Sequence, residues 1–217
     1  MQDATRTKQF LESKSHQHKH KRQHIILVGG GGHCKSCIDV IEQEGKYHIA
    51  GIVDVPEKLH QRILGYEIIA TDFDIPQLVK DYGAFLITVG QIKSSATRVS
   101  LFQRLKNAGA KLPLVISPQA YVSEHANIAD GTIIMHQALV NAGARIGKNC
   151  IINSGALIEH DAVIGDHCHI STRTVVNGGV KIGSGTFLGS NAVCKEYMEI
   201  GENSIIGCGA TIIKNTP

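Results

Sequence analysis

From Ile116 onward, aliphatic residues return at every sixth position without a slip. They stand at Ile116, Val122, Ile128, Ile134, Val140, Ile146, Ile152, Ile158, Ile164, Ile170, Val176, Ile182, Leu188, Ile200, Ile206 and Ile212, with Cys194 the one substitute. Four residues after most of them comes a small side chain, as at Ala120, Thr132, Ala144, Cys150, Ala162 and Cys168, with Val180 and Met198 as larger exceptions. A six-residue period drifts around a helix of 3.6 residues per turn, and β-branched, glycine-rich sequence forms helix poorly. Simple strand alternation, with a period of two, does not fit either. What fits is a short strand, a tight corner and another short strand, with each aliphatic residue pointing inward and each small one in a corner. Three such hexads close one triangular coil of 18 residues, so this stretch makes between five and six coils. Each coil buries its face only by stacking on the next.

The first half has a different rhythm. Residues 24–28 read as a buried strand, 29–32 as a tight glycine turn and 33–44 as a helix; 50–54 and 84–89 read as further strands and 95–108 as a second helix. That pattern predicts a small, partly parallel α/β sheet of Rossmann-like type. The chain thus divides into a basic tail over 1–23, a Rossmann-like domain over 24–115 and a β-helix over 116–217.

Composition agrees with a tightly wound interior: 23 glycines, no tryptophan and 5% aromatics leave it to be filled by aliphatic and small side chains. The net charge of +3 sits in the tail, where six basic residues face two acidic ones, so the folded part is near neutral and offers no nucleic-acid surface. The tail, with His16, His18 and His20, is too polar to order itself and reads as disordered. No run of about 18 apolar residues could span a bilayer and no signal-peptide pattern opens the chain, so the expectation is a cytoplasmic protein without membrane insertion. Among the six cysteines, Cys34 and Cys37 have the spacing of a redox pair, yet they follow a glycine run. They read as reduced thiols filling small buried sites, and no metal is expected.

Glycines after a first strand let a phosphate approach a helix N-terminus, and an acid ending the second strand, here Asp54, can take a ribose hydroxyl. Gly29-x-Gly31-x-x-Cys34 lacks the third glycine of the dinucleotide fingerprint. An NAD-dependent oxidoreductase is the competing reading for this half taken alone.

The hexads resemble those of the hexapeptide-repeat acyltransferases, which fold as left-handed parallel β-helices, and the resemblance covers nearly all of residues 116–217. Structural and carbonic-anhydrase-like relatives share such helices without transferring acyl groups. Together the two halves resemble a narrower group, the bacterial sugar acetyltransferases related to sialic-acid O-acetyltransferases and to N-acetyltransferases of UDP-4-amino-sugars. The resemblance implies a homotrimer using acetyl-CoA as co-substrate, with His160 as general base and Asp161 fixing its tautomer. His169 would face the acetyl group. Gly178, one 18-residue coil beyond His160, would present its backbone N–H to the thioester carbonyl, and Ser190 and Cys208 would line the pantetheine groove. Gly31, Gly32, His33, Asp54 and Asn153 would contact the sugar nucleotide, although Val55 replaces the second member of the acid pair that often holds uridine. The acceptor implied is the amine of a nucleotide-activated amino-sugar. O-acetylation of a sialic-acid-like sugar and a non-catalytic trimeric sugar-nucleotide-binding scaffold are the alternatives. Related chains carry a Gly/Pro-containing segment over the last coil. This sequence ends at Pro217, which predicts an exposed last rung and an open edge.

Overall fold

The computed structural model describes residues 23–217. The tail reading, with its three histidines, lies outside the described residues. Each hexad residue from Ile116 to Ile212 is the second residue of a two-residue strand. Every strand pairs in parallel with the one a coil later, as Ile151 with His169 and Ile152 with Ile170. The strands build three sides of six, six and five strands, the left-handed β-helix of the sequence reading. The first side runs from Val115–Ile116 through Ile133–Ile134, Ile151–Ile152, His169–Ile170 and Phe187–Leu188 to Ile205–Ile206; the second starts at Tyr121–Val122 and the third at Asn127–Ile128. The hexad aliphatics stack along the axis, Ile152, Ile158 and Ile170 fully buried among them.

At the corners, every sixth residue from Gly131 to Gly209 is left-handed, with φ between 53° and 75°. Glycine and asparagine fill most of these positions because they tolerate that region. The small corner residues do more than fit. Thr132 Oγ1 donates to the Gly147 carbonyl at 2.8 Å, Cys150 Sγ to Gly165 and Cys168 Sγ to Gly183 at 3.2 Å each, and Thr186 Oγ1 to Gly201 at 2.8 Å. A ladder of short donors thus satisfies corner carbonyls down one edge of the prism.

The first half forms a five-stranded sheet in the order β3-β4-β2-β1-β5, from β1 (Gln23–Val28), β2 (Tyr47–Val53), β3 (Arg62–Ile63), β4 (Tyr66–Ala70) and β5 (Ala84–Ile87). All neighbours are parallel except β3 and β4. Helix α1 (Gly32–Glu44) lies between this sheet and the first side of the prism, in a core shared by Cys34, Cys37, Ile38 and Ile41 with Val115, Ile133 and Ile151. Helices α2 (Ile75–Tyr82) and α3 (Ala96–Asn107) cover the other face. Cys34 and Cys37 are free and buried, and burial pushes the Cys34 thiol up to about 11 and that of Cys37 higher still. The outward residues of the first side from Val115 to Phe187 are therefore covered, whereas those of the second side, Leu139, Leu157, Val175 and Val193, stay part-exposed as an aliphatic stripe.

The expected open edge is partly closed. Thr216 bridges in parallel to Ile200, Gly201 N–H donates to Thr216 O at 2.8 Å and Ser204 Oγ to Pro217 O at 3.2 Å, so the third side is capped. On the first side Ile205 remains 58% exposed. Among the described residues no helix is long and apolar enough to cross a membrane.

Candidate active site

Where β1 gives way to α1, the chain turns through Gly29 to Gly31 against the β5 end, and a cleft of about 650 Å³ opens between the two halves. Gly31, Gly32, His33, Asp54 and Asn153 all line it, as does His169, together with Lys58, Val89 and Gln91. Gly31 caps α1 without a side-chain hydrogen bond, so the positive end of a thirteen-residue helix faces the cleft. Asp54 is already engaged. Its Oδ2 accepts from Gly30 N–H at 2.7 Å and Lys58 Nζ at 3.0 Å, and its Oδ1 from Val55 N–H at 2.7 Å. Burial opposes ionisation, yet these amides and the Lys58 ammonium hold the carboxyl below its usual range. The acid pins the glycine turn and brings Lys58 to the cleft.

Two histidines form the inner wall, their rings 6.4 Å apart. The Gln91 carbonyl lies 2.6 Å from His169 Nδ1, and a carbonyl only accepts, so Nδ1 carries the proton. Nε2 then accepts from Asn153 Nδ2 at 3.1 Å. Asn153 is fixed in turn, its Oδ1 taking the Ser154 amide at 2.8 Å. His33 buries an Nε2 with no partner in the structure. Desolvation, then the charge of Arg98, pushes His33 down to about 3, and burial pushes His169 down to about 4 against the pull of the Gln91 carbonyl. Both rings are neutral.

Behind them Arg98 is 1% exposed. Its guanidinium donates to the carbonyls of Ile87 at 3.1 Å and Val89 at 2.6 Å and to Asn149 O and Oδ1 at 2.9 and 2.7 Å. It thereby locks the loop carrying Gln91 to a corner of the prism. Sequence reading missed Lys58, Gln91 and Arg98. The signal for Arg98 was present: it shares the helical face of Leu101, Phe102 and Leu105, all buried, where an arginine needs a special reason to stand.

His160 stands elsewhere, on the corner between the second and third sides. Its Nδ1 lies 3.0 Å from Asp161 Oδ2, which leaves Nε2 free to accept a proton. The ring leans over Gly178 one coil on, where an added Cβ would lie 2.7 Å from Nε2. At three corners a side chain caps the second turn amide, Asn141 taking Ala142 N–H, Asn153 taking Ser154 N–H and Glu159 taking His160 N–H, while at others, Thr172, Glu196 and Cys208 among them, that amide has no partner among the described residues. Asn177 instead turns its amide to the Cys194 carbonyl at 2.8 Å. Gly178 N–H is left without a partner among the described residues, under the imidazole. Ser190 and Cys208 occupy consecutive rungs of the corner between the first and second sides, Gly209 N–H donating to Ser190 O at 2.8 Å.

The cleft set and the His160–Gly178 corner are therefore two groups that one chain does not bring together, and Ser190 with Cys208 stand on a further corner. The cleft lies against the first side, and the His160 corner faces away from it across the prism. His169, expected at the acetyl group, lines the cleft with the sugar-nucleotide set. Among the described residues no three His, Cys, Asp or Glu are placed to hold a metal.

A glycine-turn α/β domain docked on a hexapeptide β-helix sets the class of fold, and comparison with known proteins supplies the family. Residues 24–105 match the PglD N-terminal domain, and residues 125–160 and 161–196 match bacterial transferase hexapeptide repeats. No curated protein matches the sequence. Among solved structures, a variant of perosamine N-acetyltransferase from Caulobacter crescentus, in complex with CoA and GDP-perosamine, is 28% identical with a TM-score of 0.84, over 89% of this chain and 90% of that one. The acetyltransferase domain of PglB from Neisseria gonorrhoeae, in complex with acetyl coenzyme A, is 26% identical with a TM-score of 0.83, over 90% and 93%. WeeI from Acinetobacter baumannii, at 22% identity and a TM-score of 0.80 over the same shares, agrees in fold. The chain belongs to the PglD-like family of hexapeptide-repeat sugar acetyltransferases.

Proposed function

We propose that this protein transfers the acetyl group of acetyl-CoA to the amino group of a nucleotide-linked amino-sugar, in an active site shared between copies of the chain. The observation that carries the reading is His160 Nε2 poised over Gly178, which is buried beneath the ring and whose amide has no partner among the described residues. His160 takes a proton from the acceptor amine as nitrogen attacks the thioester carbon. Asp161 holds Nδ1–H and stabilises the resulting imidazolium. Gly178 N–H donates to the oxygen on which charge develops, a site where one well-aimed donor is worth about a hundredfold or more in rate. The carbon–sulfur bond breaks, and the imidazolium returns its proton to the departing thiolate. The complexes of perosamine N-acetyltransferase with CoA and GDP-perosamine support the substrate pair. The cleft adds a helix N-terminus and Lys58 for a diphosphate, with neutral histidines and an asparagine for sugar hydroxyls.

The separation of the two residue groups supports a trimer. The exposed stripe Leu139, Leu157, Val175 and Val193 runs along the second side, flanked by the His160 corner on one edge and by the corner of Asn153, Ser190 and Cys208 on the other. Closing three second sides around an axis sets the His160 corner of one copy beside the cleft of the next.

The test is incubation of the purified protein with acetyl-CoA and GDP- or UDP-linked 4-amino-sugars, read by thiol release and product mass. A base-stable amide is expected. A base-labile ester would replace amine by hydroxyl as acceptor, and absence of turnover on every amino-sugar beside an active control enzyme would overturn the reading. Leu157→Asp is expected to give monomers by light scattering and to abolish turnover while the chain stays folded.

A further inference from the structure

Arg98, in the first turn of α3, is buried and has no carboxylate within ion-pair distance among the described residues. Burial pushes the guanidinium down to about 10, so it stays charged at neutral pH. Taking a charge out of water to meet carbonyl dipoles alone is destabilising, and an apolar side chain of that length would fill the space without the penalty. An apolar chain could not, however, hold carbonyls. Nη1 grips those of Ile87 and Val89 and Nη2 both oxygens of Asn149, so one planar fork spans the end of β5 and a left-handed corner of the prism. Two coils on in the same column of corners, Gln91 Nε2 donates to the Gly185 carbonyl at 3.1 Å. The segment from Val89 to Gln91 is thus pinned at both ends, with its Gln91 carbonyl aimed at His169 Nδ1.

From that carbonyl a relay of hydrogen bonds runs with a single polarity. Gln91 O accepts from His169 Nδ1, His169 Nε2 accepts from Asn153 Nδ2, and Asn153 Oδ1 accepts the Ser154 amide. Both ends are backbone groups, which cannot exchange donor and acceptor roles. What remains for a ligand is the second hydrogen of Asn153 Nδ2, on a residue that lines the cleft. Without the Gln91 carbonyl a neutral imidazole is free to carry its proton on Nε2, and the Asn153 amide then meets a donor with a donor. Resting on the acetyl-transfer reading, we infer that Arg98 is a positioning residue for the acceptor sugar. By fixing the Gln91 carbonyl it sets the tautomer of His169, and through it the direction in which Asn153 offers an N–H to a sugar oxygen.

Three variants test this. Arg98→Met keeps the length and removes the fork, and Arg98→Lys keeps the charge as a point donor. Asn149→Gly, at φ 53°, removes one of the four acceptors from a backbone that glycine tolerates. All should lower the Tm, Asn149→Gly least, so a fall in stability decides nothing by itself. The deciding measurement is the imidazole nitrogen spectrum of His169, assigned by its loss in His169→Gln. A single Nδ1–H tautomer is expected in the unsubstituted protein and a mixture with Nε2–H in both Arg98 variants. With a GDP- or UDP-linked 4-amino-sugar as acceptor, its KM should rise about tenfold in both, the size of one misdirected hydrogen bond, while the acetyl-CoA KM stays unchanged. An unaltered His169 tautomer in folded Arg98→Lys would overturn the inference, as would a steady acceptor KM beside a lowered Tm. Where neither Arg98 variant folds, both readings are taken on Asn149→Gly, and no change in either overturns it equally. The nitrogen spectrum needs no turnover, so its outcome stands apart from a failure of acetyl transfer.

Discussion

His160 and the pair formed by His33 and His169 occupy opposite environments in one molecule. The side chain of His160 is 55% exposed on a corner, with a carboxylate at one nitrogen and open space at the other. His33 and His169 are packed where the two halves meet, and burial holds them at about 3 and 4. An exposed imidazole with one nitrogen held by an acid leaves the other open to a substrate. Desolvated ones remain neutral and act as fixed hydrogen-bonding groups. On the proposed reading the same residue type serves proton transfer on one side of the prism and shaped recognition on the other, with solvent access making the difference.

The sharpest way to break this comparison is to delete each ring. His160→Ala should lower kcat by about a hundred- to ten-thousandfold, with the urea midpoint unmoved because the side chain packs on little but Gly178. A variant retaining normal turnover would remove His160 from the reaction. His169→Ala should cost about 1–3 kcal/mol of stability, since it strands the Gln91 carbonyl and the Asn153 amide, and should raise the acceptor KM. Steady-state kinetics beside denaturation curves separate the two patterns.

Acid should act on the buried pair. In the unfolded chain these histidines bind protons near 6.5, while in the folded chain they stay neutral to about 3 and 4. Their contribution to stability is complete above pH 6.5 and is lost as pH falls towards 4 and 3. The slope is up to about 1.4 kcal/mol per pH unit for each ring. Urea midpoints at pH 7, 5.5 and 4.5 measure it, and His169→Gln should flatten the curve by the share of one proton.

A smaller effect is expected at Gly178. Its φ is an ordinary one for any residue, so Gly178→Ala should fold normally, yet its methyl group would press on His160 Nε2. A tenfold or greater fall in kcat at unchanged Tm is the expected outcome, and equal turnover would show that the imidazole does not work from this position. Gly179→Ala, at φ 67° and against the Tyr197 ring, should instead lower the Tm.

Of the first half, the sequence disclosed β1, α1, β2, β5 and α3 to within a few residues, because each has an apolar run or a helical face long enough to read. It missed β3, two residues long, β4, and α2, eight residues long, although Pro76 in the first turn of α2 was a usable helix-start signal. The two-residue strands of the prism were legible despite their length, since a period repeated along the chain carries information that no single strand does.

What the sequence decided alone is the prism. A branched side chain every six residues and a small one at each corner admit one way of burying both, so register, sides and the step from His160 to Gly178 follow locally. Tertiary structure decided the chemistry around it. Asp54 is spent on Gly30 and Lys58, His169 is fixed by a carbonyl 78 residues away, and Arg98 reaches a corner 51 residues on. Those contacts depend on how one folded half docks against the other. Docking is set by matched surfaces and desolvated donors that have no neighbours in sequence, and so leaves no period to read.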